Sequence, residues 1–373
     1  MQKVESKRQQ RIFLTFPWRI YKDDPLWVPP LLPQRKKTIS PQRGVFFRRG
    51  SADFFVAYYD GKPAGTICAA VDPPGNAQRG VADCVIGFFE CVNRYEVAKA
   101  LFDRAALWAN DQGLESLFGP FNLDYEDGYG VLVKGHPTPA ALMCGHTKDY
   151  YQAFFEEYGF VKARGDSLAF RITLDPNCDR QRRLGRLAEV VKKRSKLRIR
   201  SANLDQFEQE LDRIHELLVK SLVHLPGSIP WRRDVLGEFL LPFRKIVDPD
   251  LILFVESEGK TVGWYPGIPN LNEVFIKVNG LRHPWNYVQL LLNIKKQPKC
   301  ITTKSILVLP EFWQTGAGIL LFDEMRKRAY ARGYKMVDLS LTAEDNPQTP
   351  LIATRVGAEE YKRYRTYRKS IQL

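Results

Sequence analysis

Val308-Leu309-Pro310-Glu311-Phe312-Trp313-Gln314-Thr315-Gly316-Ala317-Gly318 runs from an apolar start of strand character through a glycine turn into a helix, on which Ile319, Phe322, Met325 and Ala329 share one face. Small residues at such a turn let a phosphate approach the backbone. The unpaired N–H groups of a helix start, reinforced by the helix dipole, attract anions. Neither GxxxxGK nor GxGxxG occurs, so this is neither of those nucleotide loops. Beyond it the sequence predicts a strand over 335–341, then Glu344-Asp345-Asn346, then a helix over about 347–356.

The plan occurs twice. Leu101-Phe102-Asp103 recurs as Leu321-Phe322-Asp323 at an offset of 220, and the register holds to Gly113 and Gly333. Gly61-Lys62 with Gly65 recurs as Gly259-Lys260 with Gly263, and Gly159-Phe160 matches Gly357-Ala358, both at an offset of 198. A duplicated domain with one 22-residue insertion in each copy accounts for these offsets. The first copy predicts a hairpin over 53–71, a strand over 85–90, a helix over 96–112, a strand over 115–121, a segment over 150–158 and a final strand over 167–174. The second predicts a hairpin over 251–268, a strand over 305–309, a helix over 318–332 and a closing segment over 361–371. The insertion at 270–296 reads as two short helices interrupted by Pro284. Residues 179–196 read as a basic helix or exposed linker. The expected organisation is an N-terminal domain over 1–175, a linker over 176–197 and a C-terminal domain over 198–373.

With 373 residues, 44% hydrophobic and 26% charged, the chain has ample material for packed cores. Its net charge of +14 is concentrated in three stretches: 12 basic against 3 acidic residues in 1–50, 10 against 2 in 179–200, and 5 against 0 in 361–373. Such patches suit an anionic ligand, a nucleic acid or a membrane face. No apolar run approaches a transmembrane length and the first ten residues are polar, which predicts a cytoplasmic chain with no membrane span. Cys68, Cys84, Cys91, Cys144, Cys178 and Cys300 form no CxxC pair, and His136, His146, His215, His224 and His283 never reach metal-ligand spacing. No metal site is expected. The absence of HExxH and GxSxG disfavours zinc and serine hydrolases.

Strand, glycine turn, helix, strand, then Asn346 before a helix ending at Gly357 resembles the GCN5-related N-acetyltransferase (GNAT) superfamily. The resemblance implies an α/β (α+β) fold of two tandem GNAT-like domains, each a mixed, mostly antiparallel sheet flanked by helices. In that family the turn follows Gln or Arg, two residues, Gly, one residue, then Gly or Ala, and holds the pyrophosphate of acyl-CoA. That implies a hold for acetyl-CoA or another acyl-CoA made by Val308, Leu309, Thr315, Gly316, Ala317, Gly318, Ile319 and Asn346, with Trp313 where the family has Gln or Arg. The chain is also similar to a bacterial subgroup of tandem GNAT proteins. Ile20-Tyr21-Lys22-Asp23-Asp24-Pro25-Leu26-Trp27-Val28-Pro29-Pro30, Gly87-Phe88-Phe89-Glu90, Gly119-Pro120-Phe121-Asn122 and Tyr150-Tyr151 carry that similarity. In copy one Glu96 and Ala98 stand where copy two has Gly316 and Gly318, placing a carboxylate where the pyrophosphate would bind. Copy one is therefore expected to complete a cleft or support copy two.

Acyl transfer needs a neutral amine. Removing the proton of a lysine-like amine at pH 7 costs about 4.6 kcal/mol, which a base must help supply. The candidates are Asp338, on the strand after the glycine turn, and Glu344, beside Asn346 where the family opens its sheet to admit pantetheine. Glu344 is favoured. The family's usual acid, a tyrosine seven residues after the asparagine, is replaced by Ala353, leaving Tyr361, Tyr364 and Tyr367 as substitutes, with Tyr361 foremost. Trp231, Trp264 and Trp285 are candidates for an acyl or acceptor pocket. The leading function is a CoA-dependent N-acyltransferase acting on a small-molecule or peptide amine. The alternatives are a catalytically idle acyl-CoA-binding or scaffold protein and an aminoacyl-tRNA-dependent transferase, the last disfavoured by retention of the glycine turn.

Overall fold

The computed structural model describes all residues except 124–128, 222–231, 305, 347 and 372–373, so His224, Trp231, Ser305 and Pro347 lie outside the described residues. An N-terminal arm opens with strand β1 (Gln2–Lys3) and continues through helices α1 (Lys7–Thr15), α2 (Pro17–Ile20) and α3 (Leu32–Thr38). Ser6 caps α1 by accepting from the Gln9 amide, and the Gln9 side chain returns the bond in a capping box. Then come β2 (Ser51–Tyr59), β3 (Lys62–Val71), α4 (Pro73–Arg79), β4 (Asp83–Cys91), α5 (Tyr95–Asp111), β5 (Ser116–Gly119), β6 (Val131–Lys134), α6 (Tyr151–Glu157), β7 (Val161–Lys162) and β8 (Ser167–Thr173).

Helix α7 (Asp179–Arg194) leads into β9 (Leu197–Ser201), α8 (Phe207–Ser221), α9 (Arg233–Leu240), β10 (Ile252–Ser257) and β11 (Lys260–Pro269). The insertion forms α10 (Asn272–Phe275) and α11 (Pro284–Ile294), where Pro284 opens a helix instead of interrupting one. Strands β12 (Cys300–Thr303) and β13 (Leu307–Val308), helix α12 (Ala317–Ala331), β14 (Met336–Ala343), α13 (Gln348–Arg355), β15 (Glu359–Arg365) and β16 (Tyr367–Ser370) complete the chain.

The repeat is real at the level of local chemistry. Asp60-Gly61 and Glu258-Gly259 both hold positive φ (49° and 71°, 49° and 83°), the two-residue turn whose twist suits a hairpin. They join β2 to β3 and β10 to β11. The recurring Leu-Phe-Asp lies on the corresponding helices α5 and α12, each crossing from one parallel strand to the next.

Two mixed sheets result, in the orders β1-β2-β3-β4-β5-β16-β7 and β6-β15-β8-β14-β12-β11-β10-β9, with β13 paired to β11. The sequence reading closes copy one on 167–174, yet β8 lies between β14 and β15 of the second sheet. The closing segment 361–371 splits at Thr366: β15 stays in the second sheet, and β16 inserts between β5 and β7 of the first. Burial explains the exchange. Leu168 and Phe170 of β8 pack with Ala353 and Ala358, whereas the Tyr367 ring of β16 stacks on Phe155 at 5.1 Å. Arg368 of β16 reaches the buried Asp83 of β4 at 2.6 Å. Residues 179–194, read as helix or linker, form α7, which packs on α12 through Ala188 and Val191 and turns Arg183, Lys192 and Lys193 to solvent.

Candidate functional site

Strands β4 and β5 run parallel, and their register pairs only Asp83 with Ser116, Cys84 with Leu117 and Val85 with Phe118. Past that point two glycines let the backbones touch. A Cβ on Gly87 would lie 1.6 Å from the Phe121 carbonyl oxygen, and one on Gly119 would lie 2.4 Å from that of Ile86. Gly87-Phe88-Phe89-Glu90 and Gly119-Pro120-Phe121-Asn122 are therefore two halves of one joint, closed by the Phe88 amide donating to Asn122 Oδ1 at 2.8 Å. Phe88 holds φ 48° there, and the β3–β4 register slips beside it.

Beyond the joint a cavity of about 410 Å³ opens. Its apolar walls come from the arm (Phe13, Leu14, Trp27, Val28), from Leu142 and Met143, and from Phe275 on α10. Glu90, at the end of β4, lines it. Burial pushes the Glu90 carboxyl up to about 7, against the hydrogen bond that the Tyr151 hydroxyl donates at 2.7 Å. Tyr150 is anchored alongside, its hydroxyl donating to the Cys91 carbonyl at 2.8 Å. At another wall His146 Nε2 meets Asp24 Oδ2 at 2.9 Å, and Lys148 reaches the same oxygen at 3.3 Å. Burial alone would raise Asp24, but the bond to His146 holds it below its usual value; burial keeps His146 low despite Asp24. The four stretches behind the tandem resemblance thus converge on this cavity and its rim. The sequence signal for Glu90 is its place in Gly87-Phe88-Phe89-Glu90, a stretch that by itself implies no catalytic role.

The second sheet carries a related but closed arrangement. Strands β12 and β14 are parallel and pair from Cys300–Met336 to Thr302–Asp338. The structure brings Asp338 and Tyr361 together: the phenol donates to Asp338 Oδ2, the Ser340 amide donates to Oδ1, and burial raises the carboxyl to about 6. Thr303 Oγ1 bonds the Asp338 carbonyl across the diverging strands at 3.0 Å. Glu344 is not brought to this pair. Lys162 and Arg363 hold it at 2.9 and 2.8 Å, the Asp166 amide adds a third bond, and these push its carboxyl down to about 2. A carboxylate so stabilised binds a proton poorly. Tyr364 donates to the Gly145 carbonyl, while Tyr367 lies in the first sheet and donates to Glu156. Ala353 is buried against β8.

At the glycine turn Val308 ends β13 and the Leu309 amide is tied to the Val262 carbonyl. Trp313, where the family has Gln or Arg, donates from Nε1 to the Val308 carbonyl at 2.9 Å, and Thr315 Oγ1 donates to the Phe312 carbonyl. Gly316 holds φ 88°, and a Cβ there would lie 2.6 Å from Val191 of α7. Gly318 faces open space. The first-turn amides of Ala317, Gly318 and Ile319 have no intrahelical acceptor, so the residues fit an anion beside Gly318, whereas α7 covers Gly316. Asn346 follows β14, its amide bonded to the Ala343 carbonyl. In copy one the first turn of α5 instead carries Glu96. Of the tryptophans, Trp264 is buried and Trp285 exposed. Among the described residues no group of three or more His, Cys, Asp or Glu is placed to hold a metal ion, and no helix is long and apolar enough to cross a membrane.

Two halves with parallel strands that part beside a glycine turn or a carboxyl, joined by exchanged strands, define a tandem GNAT fold. The architecture aligns with a tandem GNAT protein from the clavulanic acid biosynthesis pathway at TM-score 0.59 and 12% identity, covering 100% of this chain and 98% of that one. It also aligns with a GCN5-related glucosamine N-acetyltransferase region of a fungal multi-domain β-N-acetylglucosaminidase at TM-score 0.59 and 13% identity, covering 99% of this chain and 38% of that one. In sequence the chain is 28% identical to Protein YghO of Escherichia coli, over 98% of its own length and 94% of the relative's. It is 26% identical to the bacterial ceramide synthase of Caulobacter vibrioides, over 99% and 96%. No family model matches the sequence.

Proposed function

We propose that this chain is an acyltransferase that moves the acyl group of a CoA thioester to an amine, with its reaction centre at Glu90. The observation that carries the reading is a carboxyl raised to about 7 on the wall of a largely apolar cavity, oriented by Tyr151. The amine nitrogen attacks the thioester carbonyl carbon and the C–S bond breaks. The proton lost by the amine passes to Glu90, and the thiolate leaves and takes up a proton from solvent. A base near the working pH combines a useful population of carboxylate with enough basicity to accept that proton.

Asp338 and Tyr361, buried outside the cavity, serve in this reading as a support for the second sheet, and Glu344 as an ion-pair anchor. The first turn of α12, Thr315 to Ile319, remains the proposed hold for the donor's pyrophosphate, since Gly318 is open and the first-turn amides have no intrahelical acceptor. The apolar walls suit an alkyl chain. A ceramide is an amide of a long-chain amine, so the ceramide synthase relative supports an acceptor of that class.

The test is release of free thiol from acetyl-CoA and from a long-chain acyl-CoA in the presence of long-chain amino alcohols and short amines. Thiol release with a matching amide product, faster for a long-chain acceptor, is the expected result. No release with any pair would overturn the enzyme reading, and a thermal shift with acyl-CoA but no turnover would favour a binding protein.

A further inference from the structure

Helix α11 is built inside out. Trp285, Val288, Leu291 and Leu292 are 59%, 57%, 67% and 66% exposed, with Tyr287 and Ile294 exposed beside them. At 3.6 residues per turn these side chains share one broad face, while Asn286, Leu290 and Asn293 lie on the other. The inward face is polar: Asn286 is 2% exposed, and its bonds are spent within the helix, Oδ1 accepting from the amide of the N-cap His283 and Nδ2 donating to Gln289. A helix packed for water would turn these two faces the other way.

Charge says what covers the apolar face. Residues 279–299 contain no Asp or Glu, and Arg282, Lys295, Lys296 and Lys299 stand at the two ends of α11. We propose that α11 is an interfacial anchor that seats this protein on an anionic phospholipid bilayer. Its apolar side chains enter the boundary between headgroups and acyl chains, Trp285 and Tyr287 lie at the polar edge, and the cations meet lipid phosphates. Two copies docked through this face would instead bring like charges together.

The anchor lies beside a cleft that shares a wall with the Glu90 cavity. The cleft, of about 580 Å³, begins at Trp285 and Arg282 and runs along Trp18 to Trp27 and Pro29, which also line the Glu90 cavity. In this proposal a chain seated on α11 takes a long-chain amine from the lipid along this cleft, past Trp27 and Pro29, to the cavity. This last step rests on the acyltransferase reading, whereas the membrane contact stands on α11 alone.

Flotation of the full chain with vesicles of phosphatidylcholine, with and without phosphatidylglycerol, tests the anchor. The expected result is flotation with phosphatidylglycerol vesicles, weakened by salt, and at least tenfold less with phosphatidylcholine alone. The double variant Leu291→Glu/Leu292→Glu changes only exposed positions and should abolish flotation, and Lys295→Glu/Lys296→Glu should weaken it at least tenfold. Equal flotation of wild type and Leu291→Glu/Leu292→Glu overturns the proposal. So does a wild type that ignores both vesicles, including one in which the same variant converts a dimer to a monomer. Thiol release with a short, water-soluble amine should be unchanged in Leu291→Glu/Leu292→Glu. Loss of flotation with that activity intact separates the anchor from the reaction, and absence of thiol release in both proteins counts against the acyltransferase reading while leaving the anchor in place.

Discussion

The Tyr151 hydroxyl donates to Glu90 Oε2 at 2.7 Å and accepts from the Cys91 amide at 2.9 Å, so one buried phenol fixes both the end of β4 and the carboxyl beside it. Tyr151 stands at the start of α6, and its ring lies 5.1 Å from that of Phe89 in an edge contact. The carboxyl is thus held by a helix of the first half and not by a mobile side chain, which is what a proton acceptor needs.

Glu90→Gln keeps the shape of the site and removes the base. Acyl transfer should fall about 10²- to 10⁴-fold with little change in the KM for acyl-CoA. In the wild type, kcat/KM should rise with pH through an inflection near the Glu90 value of about 7, and the variant should lack that inflection.

Tyr151→Phe takes away a hydrogen bond that lowers the Glu90 carboxyl, so the inflection should move to higher pH. The Cys91 amide also loses its acceptor, at a cost of about 1–3 kcal/mol in unfolding. A stability loss with no displacement of the pH profile would show that the phenol is structural only.

Stability itself should carry the signature of Glu90. Burial raises this carboxyl from 4.5 to about 7 in the folded chain, so between those values the folded state binds a proton that the unfolded state does not. Its contribution is full below about pH 4.5 and is lost as pH rises through about 7, an effect of about 3 kcal/mol. Denaturation midpoints across that window should fall more steeply for the wild type than for Glu90→Gln, and parallel curves would count against the raised value.

The two glycines of the α12 turn should behave differently. Gly316→Ala meets Val191 and an unfavourable φ, and should cost about 1–3 kcal/mol by denaturant unfolding. Gly318→Glu meets nothing, so the fold should persist while the thermal shift with acyl-CoA disappears. If that shift survives, the donor does not use α12, and Glu90 keeps its role.

Much of the fold was legible because it is written in local chemistry. The Gly61-Lys62 and Gly259-Lys260 turns and the repeated Leu-Phe-Asp state their own conformation, whereas the face of α12 is only half legible, since Met325 and Ala329 are buried but Leu320 and Leu321 lie deeper than Ile319 and Phe322. The destination of β8 and β16 was not legible, since Leu168 and Tyr367 look alike in sequence and differ only in which core receives them. The site divides the same way. Asp338 and Tyr361 are each visible in the sequence as titratable groups, but their contact is not, and Glu344 stands out only for its place beside Asn346, while the fold alone reveals Lys162 and Arg363 around it. Glu90 carries no such mark in Gly87-Phe88-Phe89-Glu90, because a carboxylate acquires a raised proton affinity from burial, and burial at the end of β4 comes from an arm some sixty or more residues earlier in the chain. Trp285, a pocket candidate by sequence, lines the outer end of the cleft beside α11 while most of its ring stays exposed.

The exchange of strands also sets the order of biosynthesis. Until Tyr367–Ser370 has been made, β5 has an unpaired edge and Asp83 lacks Arg368, although the rest of the first half has long since left the ribosome. An exposed strand edge invites pairing with other chains. The nascent first half must therefore wait, guarded or loosely folded, for the end of the second. Neither half should yield a stable protein when expressed alone, and a frameshift or proteolytic nick after Thr366 would injure the end of the molecule that was translated first.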